Sequence, residues 1–286
     1  MAAKVHVRSN SFPSRTHPVT IDVEEHLLRI QSSEAASTSS SSVSSVSQKL
    51  GSLKDLHDSI SDWLQLSQTQ HALSNQINRK SLECLLDGSL VALDVCGTLQ
   101  DIVSQMKGCI QELESSFRRK RAVNLSLASE VESYFCSRKK IKKLASKTLS
   151  SLKRMEKQND LKNDSLEDEA ALNLLGQVHL ANISVFESFL CFLSRPHMRS
   201  SSWPLVSKVM WTKRVSSGAS EANEAEELDI NLLSLKSSKV QNIQACDVLK
   251  LAGALESGIG EIEDALDCIF RCLVKTRVSL LNIISS

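Results

Sequence analysis

Three stretches of this chain carry residue types at spacings that could do chemistry. The first is Arg8-Ser9-Asn10-Ser11-Phe12-Pro13. Arg8 stands three residues before Ser11, the spacing a basophilic kinase reads, and Pro13 stands two after it. Phosphorylated at Ser11, the stretch takes the form of a 14-3-3 ligand, in which an arginine cluster on the partner grips the phosphate of an extended segment. The competing reading is a tail that stays unmodified or lies against the folded body. The second stretch is basic. Arg118, Arg119, Lys120 and Arg121 are followed by Arg138, Lys139, Lys140, Lys142, Lys143, Lys147, Lys153, Arg154 and Lys157, so residues 118–157 hold 13 basic against 3 acidic side chains in a chain of net charge +1. Such a face is either solvated helix surface or a binder of anionic lipid headgroups. Nuclear import is a further use. Nucleic acid fits less well, because only Tyr134 and Phe135 interleave with the cations and stacking platforms are few.

The third stretch holds Cys268 and Cys272, one helical turn apart. A helix keeps such thiols too far apart for an easy disulfide. The other cysteines, at 84, 96, 109, 136, 191 and 246, form no Cys-x-x-Cys pair and stand near no His at metal spacing;. They read as reduced thiols in helical patterns, with no metal and no cofactor. Catalytic signatures are missing as well. There is no Gly-rich phosphate loop, no nucleophile elbow and no His-Glu-x-x-His. The histidines at 6, 17, 26, 57, 71, 179 and 197 are scattered. Glu167, Asp168 and Glu169 read as partners of a helix dipole. The expectation is a protein that is not an enzyme.

The elements that must position these residues are helical. Only four prolines occur, and none between Pro18 and Pro196;. Aromatics are 4% of the chain, too few for a β-rich fold;. Residues 1–19 read as a disordered basic tail. A short helix is expected from Thr20 as N-cap to about Glu34, with Ile21, Leu27, Leu28 and Ile30 on its apolar face. Residues 37–45 form a Ser-rich hinge. Val43, Val46, Leu50, Leu53, Leu56, Ile60, Trp63 and Leu66 then step by three and four. Leu82, Leu86, Leu90, Leu93, Cys96, Leu99, Val103, Met106, Ile110, Leu113 and Phe117 extend the pattern into a coiled-coil-like stripe. Gly88, Gly97 and Gly108 interrupt it, each weakening the helix by about 1 kcal/mol relative to Ala but admitting a close neighbour.

A helix over about 124–157 carries Leu127, Val131, Tyr134, Ile141, Leu144, Leu152 and Met155, ahead of a polar turn at 158–165. The next runs over about 166–194, to Pro196. Trp203-Pro204 opens a short helix. Residues 216–227 read as an acidic linker. The last region, about 228–284, is periodic through Ala252, Leu255, Ile259, Ile262, Leu266, Ile269 and Leu273. Gly258 and Gly260 are expected to break it near Ser257 into two antiparallel helices. No apolar run reaches the length of a membrane span, and the start lacks the apolar core of a secretory signal. Residues 1–21 are acid-free with Ser and Arg, as in plastid transit peptides.

Several segments resemble a plant-specific domain-of-unknown-function family of helical proteins related to the BYPASS proteins of root and shoot development. The resemblance is carried by His6-Val7-Arg8-Ser9-Asn10-Ser11-Phe12-Pro13-Ser14-Arg15 with His17-Pro18, by Trp63-Leu64-Gln65-Leu66, and by Leu86-Asp87-Gly88-Ser89-Leu90 with Leu93-Asp94-Val95-Cys96-Gly97. It continues through Glu112-Leu113, Arg118-Arg119-Lys120-Arg121, Trp203 with Leu205-Val206-Ser207-Lys208, and Lys275-Thr276-Arg277-Val278-Ser279-Leu280-Leu281-Asn282. It spans nearly the whole chain in the right order. It implies an all-helical fold and a link to plant development, and it brings no catalytic residues.

Together these readings predict an all-α, elongated helical bundle with long coiled-coil-like helices over residues 20–286, behind a tail at 1–19. The leading expectation for function is a non-enzymatic adaptor or regulatory scaffold with a phospho-switch at Ser11. A peripheral protein that binds anionic lipid through 118–157 is the alternative, and an enzyme of unfamiliar type the third. The expected location is cytoplasmic, with membrane association, nucleus and plastid behind it. Whether long stripes pair within or between chains is left open.

Overall fold

A computed structural model describes residues 17–36, 42–74, 79–121, 127–160, 170–194, 224–237 and 241–285. Among the described residues the chain forms α1 (Pro18–Ala36), α2 (Val43–Trp63), α3 (Ser67–Leu73), α4 (Arg79–Arg121), α5 (Ala128–Asp160), α6 (Ala170–Ser194), α7 (Glu224–Ser237) and α8 (Gln241–Ser285), with no strand. The all-α expectation is met. At about 1.5 Å rise per residue, α4 and α8 each extend for roughly 65 Å, so the bundle is elongated.

The axis of the molecule is the antiparallel pair α4–α8. Its register can be read from cross-links whose numbers run in opposite directions. Arg277 donates to the Leu86 carbonyl, and to Ser89 Oγ at 2.8 Å. Gln100 donates to Asp267 Oδ1 at 2.6 Å, Lys107 pairs with Glu263, and Gln111 donates to Glu256 Oε1 at 2.7 Å. Between these polar rungs the three-four stripes of both helices are buried, from Leu82 to Phe117 and from Val248 to Leu273. Leu90 escapes, at 44% exposure, and Leu93 is half-buried. α2 lies parallel to α8, since Ser47 meets Glu261 and Asp58 meets Cys272. It lies antiparallel to α6, through Lys49 to Ser188 Oγ at 2.8 Å and His57 to Asn182 at 2.7 Å.

Several boundaries differ from the expectation, each for a local reason. α1 starts before Thr20: Pro18 occupies its first turn, and the His17 ring nitrogen and carbonyl receive the N–H groups of Val19 and Thr20;. Its buried face is Val23, Leu27 and Ile30, leaving Ile21 and Leu28 outside. The Ser-rich hinge ends early, because Ser42 caps α2 by accepting the Ser45 N–H at 3.0 Å;. α3 was not foreseen. The expected acidic linker is helical from Glu224, whose neighbours Glu226 and Glu227 share the first turn and suit its positive pole;. The break expected near Ser257 does not occur, and α8 is continuous through Gly258 and Gly260. Two glycines cost a helix about 2 kcal/mol, far less than an unbroken stripe buries on either side. Residues 203–204 and 167–169 lie outside the described residues.

α6 corrects another expectation. By length and composition it is apolar enough to cross a membrane, with a mean hydropathy of 1.2. Over half of that window is buried in the bundle, where α1, α2, α4 and α5 surround the helix and ask for apolar residues on most sides;.

Glycine spacing matters at two points. A Cβ on Gly88 would lie 2.9 Å from the His179 ring, and one on Gly258 would lie 2.5 Å from Val43 Cγ1. Gly108 has nothing within 4 Å. Gly108→Ala should therefore raise stability by up to about 1 kcal/mol, whereas Gly258→Ala should lower it by about 1–2 kcal/mol, and Val43→Ala should relieve part of that loss. Urea midpoints of the variants check this. Equal gains at both glycines would contradict the close approach of α2 to α8.

Candidate functional site

The basic segment divides into three structural groups. Arg118 and Arg119 belong to the last turn of α4, inside the helix rather than beyond its end, where cations meet the negative pole;. Arg118 Nη2 donates to Glu114 Oε2 at 2.6 Å, and Arg119 donates to the hydroxyls of Ser115 and Ser116. Burial pushes the Glu114 carboxyl up, and Arg118 pulls it back. The side chains of Lys120 and Arg121 lie outside the described residues.

The second group faces water. Lys139, Lys140, Lys143 and Lys147 are exposed on α5 and form no ion pair among the described residues. Lys153, farther along, reaches Glu187 of α6 at 2.7 Å.

The third group is not surface, and this corrects the picture of one uninterrupted basic face. The core stripe of α5 steps through Val131, Tyr134, Ile141 and Ala145, and Arg138 falls on that stripe between Tyr134 and Ile141. It is buried at 6% exposure, and Lys142 beyond it is half-buried. Both converge on Asp229 of α7, which is 2% exposed. α7 brings Asp229 there by burying Ala225, Leu228, Leu232 and Leu235, a three-four stripe on a helix packed against α8. Tyr134 Oη donates to Asp229 Oδ1 at 2.9 Å. Arg138 Nε stands 3.6 Å from the same oxygen, and Lys142 Nζ stands 3.8 Å from Oδ2. Arg138 Nη1 otherwise approaches the Met106 sulfur at 4.0 Å.

A phenol, a guanidinium and an ammonium thus surround one carboxylate out of water, where their fields are weakly screened. Burial pushes the Tyr134 phenol well above its usual range. Lys142 is lowered, chiefly by burial and then by the neighbouring Arg138, while Asp229 opposes both. The phenol therefore keeps its proton at neutral pH. The arrangement can hold an anion. It forms an anion cradle.

Other reactive side chains are quieter. All eight cysteines are free. Burial pushes the Cys96 thiol up to about 12 and Cys272 up to about 11, so both stay protonated. Cys272 Sγ approaches Asp58 Oδ1 at 3.8 Å. A groove of about 630 Å³ lies between α1, α3 and α6, lined by Leu27, Leu28, Trp63 and Leu174 with Glu24 at its rim. Arg8, Ser11 and Pro13 lie outside the described residues.

The sequence reading missed Asp229 and the role of Tyr134. The signal was present. Leu228, Leu232 and Leu235 carry helical spacing next to the acids, and position 138 completes the α5 stripe.

The fold and the cradle define an all-α helical-bundle protein whose long α4–α8 pair is flanked by an acidic helix clasped to a basic one. This chain belongs to the BPS1 family: the family model described as Protein BPS1 matches residues 49–283, from within α2 to the end of α8. The match agrees with the resemblance to BYPASS-related plant proteins and leaves α1 and the tail outside it. No curated protein and no solved structure matches the chain.

Proposed function

We propose that this chain is a non-enzymatic adaptor or regulatory scaffold in plant development, acting in the cytoplasm through protein partners. The observation that supports it is a stripe on α8. Val274, Val278 and Leu281 are exposed at 40%, 50% and 42%, spaced i, i+4, i+7. From Cys268 onward the sequence holds no acid, and Arg271 and Lys275 flank the stripe. An exposed apolar stripe with charged flanks is what a partner helix reads. The tail stretch of Arg8, Ser11 and Pro13 would add a 14-3-3 ligand on phosphorylation of Ser11. Proximity labelling in plant tissue tests the reading. The double variant Val278→Glu, Leu281→Glu should lose a defined subset of labelled proteins while circular dichroism stays unchanged. An identical labelled set would remove α8 as a partner surface.

The exposed lysines favour a second reading, binding to anionic membrane. Each cation near the surface contributes about 1 kcal/mol. Arg138 and Lys142 face Asp229 and do not contribute, so the strip is Lys139, Lys140, Lys143 and Lys147. Reversing Lys139, Lys140 and Lys143 to Glu should abolish co-sedimentation with phosphatidylserine vesicles at low salt and leave helicity intact. Wild-type protein that remains in the supernatant would end this reading.

A further inference from the structure

The cradle of Tyr134, Arg138 and Lys142 holds less anion than it is built for. A guanidinium presents five N–H donors in a planar fork suited to a two-oxygen acceptor. Arg138 meets Asp229 only through Nε at 3.6 Å, and that nitrogen has no hydrogen-bond partner. Lys142 Nζ is 3.8 Å from the other oxygen, also beyond hydrogen-bond length;. Of the three groups aimed at the carboxylate, Tyr134 alone makes a hydrogen bond to it, at 2.9 Å. Glu226 of α7 also acts on Lys142, so the unmet demand is at Arg138, whose buried Nε lacks a hydrogen-bond partner in a site where charges are normally paired and hydrogen-bonded;.

The occupant has a recognisable form. α7 is a helix of 14 residues with four apolar positions on one side and Asp229 set beside Leu228. A helix this short owes its order to what it packs on. Ile230 and Leu233 stand exposed on its other side. A short helix that lays leucines on a neighbouring helix and aims an acid at an arginine is the geometry of helix-in-groove recognition.

We propose that α7 is the in-chain occupant of a docking site for an acidic amphipathic helix of a partner protein. The apolar floor of the site is the surface of α8 beneath Leu228 and Leu232. Its polar anchor is Tyr134, Arg138 and Lys142, and Asp229 stands where the partner's acid sits. A partner helix with a further carboxylate facing Arg138 supplies the acceptor that its Nε lacks. The idea rests on the adaptor reading and names the chemistry of the partner.

A labelled peptide of residues 224–237 is the probe, titrated by fluorescence anisotropy against the full chain. The receptor carries Leu228→Ala and Leu232→Ala, which loosen α7 and leave the cradle intact. This loosened chain should bind the peptide, and the wild-type chain, with its site filled, should bind it far more weakly. Asp229→Asn in the peptide, or Arg138→Gln in the receptor, should each weaken binding by about 30-fold or more. Binding that ignores both substitutions overturns the proposal. So does a folded loosened chain that binds no peptide, or one that only gains sedimentation with anionic vesicles. If the loosened chain fails to fold, hydrogen exchange on the wild-type protein decides. Amides of α7 should exchange through local opening, faster than those of Leu255 to Leu273 in α8. An α7 that exchanges only together with α8 overturns the proposal. These readouts do not involve Val278 or Leu281, so failure of the α8 stripe and failure of the cradle are told apart.

Discussion

Acidification from pH 7.5 to pH 5 should lower the stability of this fold, because buried His57 is held neutral inside it and burial disfavours the charged form of half-buried His179 as well;. His57 is fully buried between α2 and α6. Its Nε2 lies 2.7 Å from Asn182 Oδ1, and Nδ1 has no partner. Asn182 is itself held, donating to the Val178 carbonyl at 2.8 Å. Burial lowers the His57 pKa below 6.5, with the Asn182 hydrogen bond and the nearby Asp58 opposing. His179, against Gly88, is lowered by burial alone. The sign follows. Below pH 6.5 the unfolded chain binds protons that the folded chain refuses, so stability falls with pH. The limit is about 1.4 kcal/mol per group per pH unit. Urea midpoints at the two pH values should show the loss. The double variant His57→Gln, His179→Gln should flatten most of it. A wild-type midpoint that does not move between pH 7.5 and 5 would refute the assignment.

The second large effect is expected at Asp229. Asp229→Ala leaves Arg138 buried with no carboxylate, and breaking one side of a buried pair costs about 3–5 kcal/mol. The loss should appear first as shedding of the α7 helix. Replacing both partners is different. Arg138→Met with Asp229→Leu removes the charges and fills the space, and should regain most of the stability, because a buried ion pair pays its own desolvation. Lys142 is half-buried, and its ammonium can turn to water in that variant;. Denaturant unfolding of the singles and the double completes the cycle. An Asp229→Ala variant within about 0.5 kcal/mol of wild type would mean that the clasp holds nothing.

The long helices were legible in the sequence because their stripes are long. Leu50, Leu53, Leu56 and Ile60, or Leu255, Ile259, Ile262 and Leu266, repeat often enough that no other structure buries them. Their ends were less legible, since ends depend on single groups. His17 and Ser42 cap α1 and α2 ahead of the positions that composition suggested. The supposed break at Gly258 failed for another reason. Propensity argues from one residue, whereas the absence of a Cβ there makes room for Val43 from 215 positions away. The cradle was hidden by the same kind of distance. A run such as Arg138-Lys139-Lys140 looks uniform by charge, yet its members point in different directions around the helix. The spacing of Tyr134 and Ile141 sets Arg138 inward while Lys139 and Lys140 are exposed, but only the placement of α7 shows what Arg138 meets there. Which acid would answer Arg138 could not be read from α5 at all.

The pairing of α8 with α4, α2 and α7 sets a timetable for synthesis. α8 is the last of the described helices to leave the ribosome, yet it covers the stripes of α2 and α4, which emerged long before. At about 5–20 residues per second the 45 residues of α8 take roughly 2–9 s to make;. Through that interval Leu50, Leu53, Leu99 and Ile102 have no mate from α8, so the nascent chain depends on chaperones or on partial pairing among earlier helices. A stop codon before residue 241 would make that exposure permanent. Such a truncated product should be cleared or aggregate rather than persist as a smaller bundle.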